Sequence, residues 1–359
     1  MIVTYIHSNY RVDQPGVQLR CRNMADAINR AGIHRANLLD LNSFIQNTEH
    51  AQKVCDASDL IVIHRHLYGR ILATIQYWKA RDKKIIFDFD EAVNYLTEDM
   101  PSYAFWFEGV SLAGYSLENA SMIEPPPIEQ FKWGLAMVDA ATVPSDRLAD
   151  DWSRYTNIHK VLDYINTSQY PALHQSHGDE IWIGFGDYRG YGSPEKSGLL
   201  AAMENVCHKL PKVKFVFLEN DIKPGSSSAC PVQLETQFQY CSEDWANILP
   251  GLNIGLVPIY GNYDLRLGYY DLLEFMISKI PWIASGKPSY DRISQYGQWI
   301  ENTPYAWENA ILNTIDQLEV YQREAEEEPF LFALSQGVDA NIEKILKIYG
   351  SIINPSSFR

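Results

Sequence analysis

Short apolar runs rich in β-branched residues alternate with segments of helical period along nearly the whole chain, and they do so in two blocks. The first block reads IVTYIH, ANLLDL, LIVIH, KKIIFDF, MVDAATVPS and HKVLDYIN. Helical patterns are expected over 17–31, up to 57, over 68–80 and over 146–155. Strands separated by helices of this length pair in parallel through right-handed crossovers, which covers both faces of the sheet. The pattern lapses at 166–180 into the polar, turn-rich stretch NTSQYPALHQSHGDE, where a linker is expected. It resumes with IWIGFG, a helix over 198–210, KVKFVFLEN, VQLETQFQ, NIGLVPI and PWIAS. The expected class is α/β with two doubly wound domains, 1–168 and 178–338. An amphipathic helix over 341–352, within 339–359, is available to pack back on the first.

With 359 residues, 46% apolar and 13% aromatic, the chain has material for two cores. A formal charge of −15 repels nucleic acid and anionic lipid on average. The interval holding Arg65, Arg70, Lys79, Arg81, Lys83 and Lys84, with Arg20 and Arg22 before it, reads as a solvated helix face rather than an anion site. The start lacks the features of a secretory signal and no segment reaches membrane-spanning length, so a cytoplasmic protein is expected, with peripheral attachment to the inner face of a membrane left open. Five widely spaced cysteines with no Cys-x-x-Cys pair read as reduced thiols.

In open α/β sheets ligands bind beyond the carboxyl ends of the strands, so the loops there are the places for chemistry. Pro15-Gly16 opens a helix after the first strand, where glycine lets backbone N–H groups approach a phosphate; an ordinary turn is the alternative. In FDFDEAVNYL, Asp88, Asp90 and Glu91 cluster. They suit an Asp-x-Asp metal site, a single acid such as Asp90 acting as base or sugar ligand, or a helix cap. Metal is the least favoured, because alternate positions of an extended segment face opposite ways. The glycine-rich GFGDYRGYGSPEKSG carries Arg189 and Lys196, two cations able to neutralise a diphosphate. In DLRLGYYDLLEFMISKIPWIAS, Glu274 near a helix start could accept ribose hydroxyls or answer the helix dipole. Tyr269, Tyr270 and Asp271 are candidate sugar or base contacts, and Trp282 reads as core. The acidic run REAEEEPF reads as a solvated helix end.

In this order the features resemble the GT-B glycosyltransferases, most closely the retaining family 4 enzymes. The matching pieces are PGVQLRCRNMADAINRAG, LIVIHR with KKIIFDFDEAV, AATVPSDRLADDW, IWIGFGDYRGYGSPEKSGLLAAM and LLEFMISKIPWIAS. That family holds its donor with two glutamates separated by seven residues, the second on the ribose. Glu274 matches the second, whereas Arg266 stands at the first and Asp264 is the candidate substitute. Lys196 is similar to the diphosphate-binding lysine and Arg189 to its paired arginine. Asp90 falls where relatives carry a histidine facing the reacting sugar, and Gly16 matches the loop that approaches the donor phosphates.

The resemblance implies two Rossmann-like domains facing across a cleft. It also implies metal-independent, cofactor-free transfer of a hexose, with retention, from a nucleoside diphosphate sugar, a uridine one, to a glycan or lipid-linked acceptor, as in polysaccharide biosynthesis. Asp90, Arg189 and Lys196 would be catalytic. Gly16, Gly186, Asp187, Tyr240, Arg266, Tyr270, Leu273 and Glu274 would hold the donor. Arg266 and Asp90 also motivate a second reading, a noncatalytic nucleotide-sugar-binding protein, and a sugar-nucleotide epimerase is a third.

Overall fold

The computed structural model describes residues 1–8, 15–112, 120–170, 175–185, 193–217, 242–286 and 293–354. The chain forms two compact units: Met1–Asp163 with Arg266–Gly268 and Val338–Arg359, and Tyr164–Leu265 with Tyr269–Gly337.

In the first unit, strands β1 (Ile2–His7), β2 (Arg35–Asp40), β3 (Leu60–His64) and β4 (Lys84–Asp88) come first. A short antiparallel pair follows, β5 (Val110–Leu112) with β6 (Ala120–Met122), and then β7 (Ala140–Val143) and β8 (Ile158–Lys160). The main sheet runs β2-β1-β3-β4-β7-β8 with every pair parallel. Leu60 to Ile63 are wholly buried, which explains the unbroken apolar run of β3 where a one-faced strand would alternate. Three helix starts carry side-chain caps: Asp40, Thr48 and Ser145 accept from the backbone N–H groups of Ser43, Ala51 and Leu148. The helix Val338–Ile353 packs on the helix Asn23–Ala31, with Tyr349 and Tyr5 hydroxyls 3.2 Å apart and Arg30 paired to Asp339 at 2.8 Å.

The second unit has strands β9 (Ile181–Phe185), β10 (Val213–Phe217), β11 (Ile254–Val257), β12 (Trp282–Ser285) and β13 (Gln298–Ile300), in the order β10-β9-β11-β12-β13, again all parallel. Gly255 lets the helix Tyr270–Ile277 lie close, since a Cβ there would be 2.5 Å from the Phe275 ring. The strand expected from VQLETQFQ lies outside the described residues, and the half-buried β13 closes the sheet instead. Counted within its own unit, each sheet opens second-first-third-fourth-fifth. Strand order therefore reverses beside β1 and β3 in one unit and beside β9 and β11 in the other, which creates two switch points.

Candidate functional site

At the second unit's switch point the chain re-enters the described residues after β9 at the helix Ser193–Lys196. Buried Ser193 donates its hydroxyl to Asp264 Oδ2 at 2.5 Å, and the Tyr260 backbone N–H donates to the same oxygen at 2.9 Å. Asp264 is 9% exposed. Burial raises its pKa above the ordinary carboxylate value, against the opposing pull of both hydrogen bonds and of the nearby Lys196 charge. Lys196 itself is exposed. The loop carrying Asp264 is fixed at Ile259, whose N–H donates to Ser285 Oγ at 3.1 Å and whose carbonyl accepts from Asn302 at 3.0 Å. Gly286, at φ 68°, lets that carbonyl approach, as a Cβ would stand 2.8 Å from it. A buried acid with a displaced pKa, beside a cation at the end of two central strands, is the arrangement expected of a working site.

Glu274 lies further along the same unit. It is the fifth residue of the helix Tyr270–Ile277, not in its first turn as the sequence suggested; Asp271 occupies that turn. Helix-dipole compensation therefore does not account for it. Its carboxylate, 7% exposed, accepts from the Tyr170 hydroxyl at 2.8 Å and from Trp245 Nε1 at 3.1 Å. The Tyr170 and Tyr270 hydroxyls are 2.9 Å apart; with the Tyr170 proton committed to Glu274, Tyr270 is the donor of that bond. Burial and the Glu274 charge push the Tyr170 pKa well up, so the phenol stays protonated. Leu273 is buried in the core beside it.

The first unit's switch point is built from ion pairs. Arg65, with φ 58°, grips Asp90 through Nε and Nη2 at 2.5 and 2.6 Å and reaches Glu91 at 3.4 Å. Gly16 sits against this guanidinium, since a Cβ there would be 2.7 Å from Arg65 Nη1. Beneath it, Arg20 binds Asp88 through Nε and Nη2, and its Nη1 donates to Asp163 and to the Val161 carbonyl. Thr142 donates to Asp88 as well. Asp88 and Asp90 thus turn to different arginines, and among the described residues no three His, Cys, Asp or Glu side chains are placed to hold a metal ion. The solvated-face reading of the basic interval needs correction here: Arg20 is 2% exposed, and Lys79 and Lys84 both pair with Asp139.

Arg266 groups with the first unit. Its guanidinium pairs with Asp151 at 2.5 Å and lies 3.3 Å from the Tyr95 ring centroid, while Ser145 donates to its carbonyl at 2.6 Å. Gly186, Asp187, Arg189 and Tyr240 lie outside the described residues. The small residues Ser285 and Gly286 after PWIA marked a loop at the sheet edge in the sequence, whereas Ser193 and Tyr260 carried no signal, because only their bonds to Asp264 single them out.

No family model and no curated protein sequence matches the chain. Solved structures do. Sucrose-phosphate synthase from Thermosynechococcus elongatus superposes with a TM-score of 0.65 at 13% identity, covering 99% of this chain and 100% of that one. The S. aureus MnaA structure with UDP gives 0.55 at 12%, covering 100% and 98%. TarM gives 0.56 at 13%, over 87% of this chain and 57% of its own. The fold is GT-B. Each unit is one of its Rossmann-like domains. Among the described residues no helix is long and apolar enough to cross a membrane.

Proposed function

We propose that the chain is a metal-independent, retaining glycosyltransferase that moves a hexose from a nucleoside diphosphate sugar, a uridine one, to a glycan or lipid-linked acceptor. The observation that carries this reading is buried Asp264, with its raised pKa, held by Ser193 and Tyr260 beside exposed Lys196 at the carboxyl edge of the second sheet. Lys196, together with Arg189, would neutralise charge on the departing diphosphate. Glu274 would accept the ribose hydroxyls. With Arg266 engaged by Asp151 and Tyr95, Asp264 takes the part of the first acid toward the hexose. As the bond from the anomeric carbon to the diphosphate breaks, the acceptor oxygen bonds to that carbon on the same face, and its proton passes to the departing phosphate oxygen. For Asp90 to touch a substrate, Arg65 must first swing off both of its oxygens. Solved neighbours bearing UDP, MnaA and a TarM variant complexed with fondaparinux, alpha-GlcNAc-glycerol and UDP, support the choice of nucleotide.

The sequestered Arg266 also favours a second reading, a noncatalytic protein that binds nucleotide sugars. Incubation with uridine and guanosine diphosphate sugars, following nucleotide release with and without chelator, separates the two. Chelator-insensitive release of free sugar or transfer product supports the transferase, and binding without turnover supports the second reading. An epimerised sugar nucleotide would identify an epimerase. If neither Lys196→Ala nor Glu274→Ala weakens nucleotide binding, the site is misassigned.

A further inference from the structure

His64 ends β3 at the first unit's switch point and is 1% exposed, yet neither of its ring nitrogens has a hydrogen-bond partner among the described residues. Buried polar groups are almost always bonded, and an imidazole with both its donor and its acceptor idle calls for a cause.

Charge surrounds the ring. Its register partner on β4 is Asp88, which Arg20 and Thr142 already engage. Two residues on is Asp90, gripped by the Arg65 that directly follows His64. His7 ends β1 on the other side. Cys21, Tyr5 and Tyr349, which sense the same Asp88 charge, are held neutral by burial. Among the described residues Arg20 and Arg65 thus stand against four carboxylates, Asp88, Asp90, Glu91 and Asp163. A proton on His64 would answer that surplus. What keeps it off is burial and then the adjacent Arg65 charge, which hold the pKa down at about 4 against the pull of Asp90 and Asp88.

Arg65 is the member of this group that can move. Its side chain is 29% exposed against 1% for Asp90, so a ligand meets the guanidinium before it meets the acid. Its φ of 58° puts a non-glycine residue in the left-handed region, a strain that collects at switches. When Arg65 leaves, Asp90 loses two bonds and the positive charge beside it while staying buried. A buried carboxylate then favours a positive charge on the titratable group enclosed with it.

We propose that His64 is the alternate partner of Asp90: once Arg65 turns away, His64 takes one proton from solvent and holds the carboxylate in the arginine's place. Asp90 then stays ionised and oriented whichever of the two engages it. The exchange belongs to the first unit alone; that it positions Asp90 for a sugar rests on the transferase reading.

The exchange is read by imidazole nitrogen NMR of the full chain labelled at histidine, titrated from about pH 8 to about pH 4.5, with His64→Gln to assign the signal. In the parent His64 should stay neutral until about pH 4. In Arg65→Met its midpoint should rise to above about pH 6, and adding Asp90→Asn should return it below about pH 5. Arg65→Gln, uncharged but able to donate to Asp90, serves if the methionine variant does not fold. The proposal is overturned if His64 in the Arg65 variant is still neutral at about pH 5.5. It is equally overturned if Asp90→Asn leaves the raised midpoint where it is, since the rise is then relief from the Arg65 charge alone.

The positioning role is read separately, from nucleotide release with a uridine diphosphate sugar. His64→Leu should lower kcat about tenfold, the scale of one bond to a charged group, with KM unchanged. In the parent kcat should fall as pH rises through the raised midpoint, because His64 must be protonated to hold Asp90, and in His64→Leu that fall should be gone. Release by the parent with kcat indifferent to His64→Leu overturns the positioning role. No release by the parent strikes the transferase reading and leaves the NMR titration to decide the exchange.

Discussion

Replacing Glu274 separates a ligand-binding acid from a structural one. In Glu274→Ala the Trp245 indole N–H, in a residue 2% exposed, loses its acceptor, whereas Tyr170 can turn its proton toward Tyr270. One orphaned buried donor costs about 1–3 kcal/mol. One lost methylene adds about 0.8 kcal/mol, so the expected loss of stability is about 2–4 kcal/mol. Glu274→Gln behaves differently. Its carbonyl can accept from Trp245 while its amide donates to the Tyr170 oxygen, whose own proton turns to Tyr270. Two charge-assisted bonds become neutral ones, a loss of about 2 kcal/mol, and relief of a buried carboxylate's desolvation offsets it. The glutamine variant should therefore unfold in urea within about 1 kcal/mol of the parent. If the acid binds ribose, both variants should lose UDP affinity, the glutamine one by about tenfold, as a charge-assisted bond weakens to a neutral one. A glutamine variant with parental stability and parental UDP affinity would refute the ligand role and leave Glu274 as the anchor of Tyr170 and Trp245.

Asp264→Asn keeps both hydrogen bonds, because Ser193 and Tyr260 donate to one oxygen. The folded pKa of Asp264 is raised from 3.8, so its contribution to stability is greatest at low pH and falls as pH rises through the folded value. The asparagine variant should have the higher urea midpoint at pH 7, with the gap closing below about pH 4, yet release nucleotide from its sugar far more slowly; a less stable variant at pH 7 would contradict this. His64, 1% exposed, is depressed by burial and the adjacent Arg65 charge from 6.5 to about 4, so stability present above pH 6.5 is lost as pH falls toward 4. That loss should be on the order of 3 kcal/mol in urea titrations, and His64→Leu should flatten the dependence. Arg20→Met leaves Asp88 and Asp163 buried without their counter-charge, and first-unit stability should fall by about 3–5 kcal/mol, read by urea unfolding; a change under about 1 kcal/mol would mean the acids find other partners.

The strands were legible where burial on both faces demands an apolar run, most plainly in LIVIH. Elements without such a demand were not: β13 is half-buried, and the helix Pro127–Met137 has a weakly segregated surface that no period picks out. In the site, glycine and charge marked the right loops, but pairing is a tertiary fact. Arg20 and Asp88 are 68 residues apart in sequence, and Arg266 and Asp151 are 115 apart. A cation in a polar loop gives no sign of which acid will neutralise it. The sequence therefore showed that Arg266 breaks the paired-acid pattern, and only the structure shows where its charge goes and that Asp264 has a bonded seat.

The return of the helix Val338–Ile353 to the first unit has a consequence for biosynthesis. Tyr5 and Tyr349 bond across 344 residues. At 5–20 residues per second, the stretch 164–337 takes roughly 10–35 s to synthesise, and until it is complete the surface of the helix Asn23–Ala31 that the last helix covers stays open. The second unit contains all five of its strands within that stretch. All residues of the second unit thus leave the ribosome before the first unit receives its last helix, encoded more than 300 residues downstream of the helix it covers.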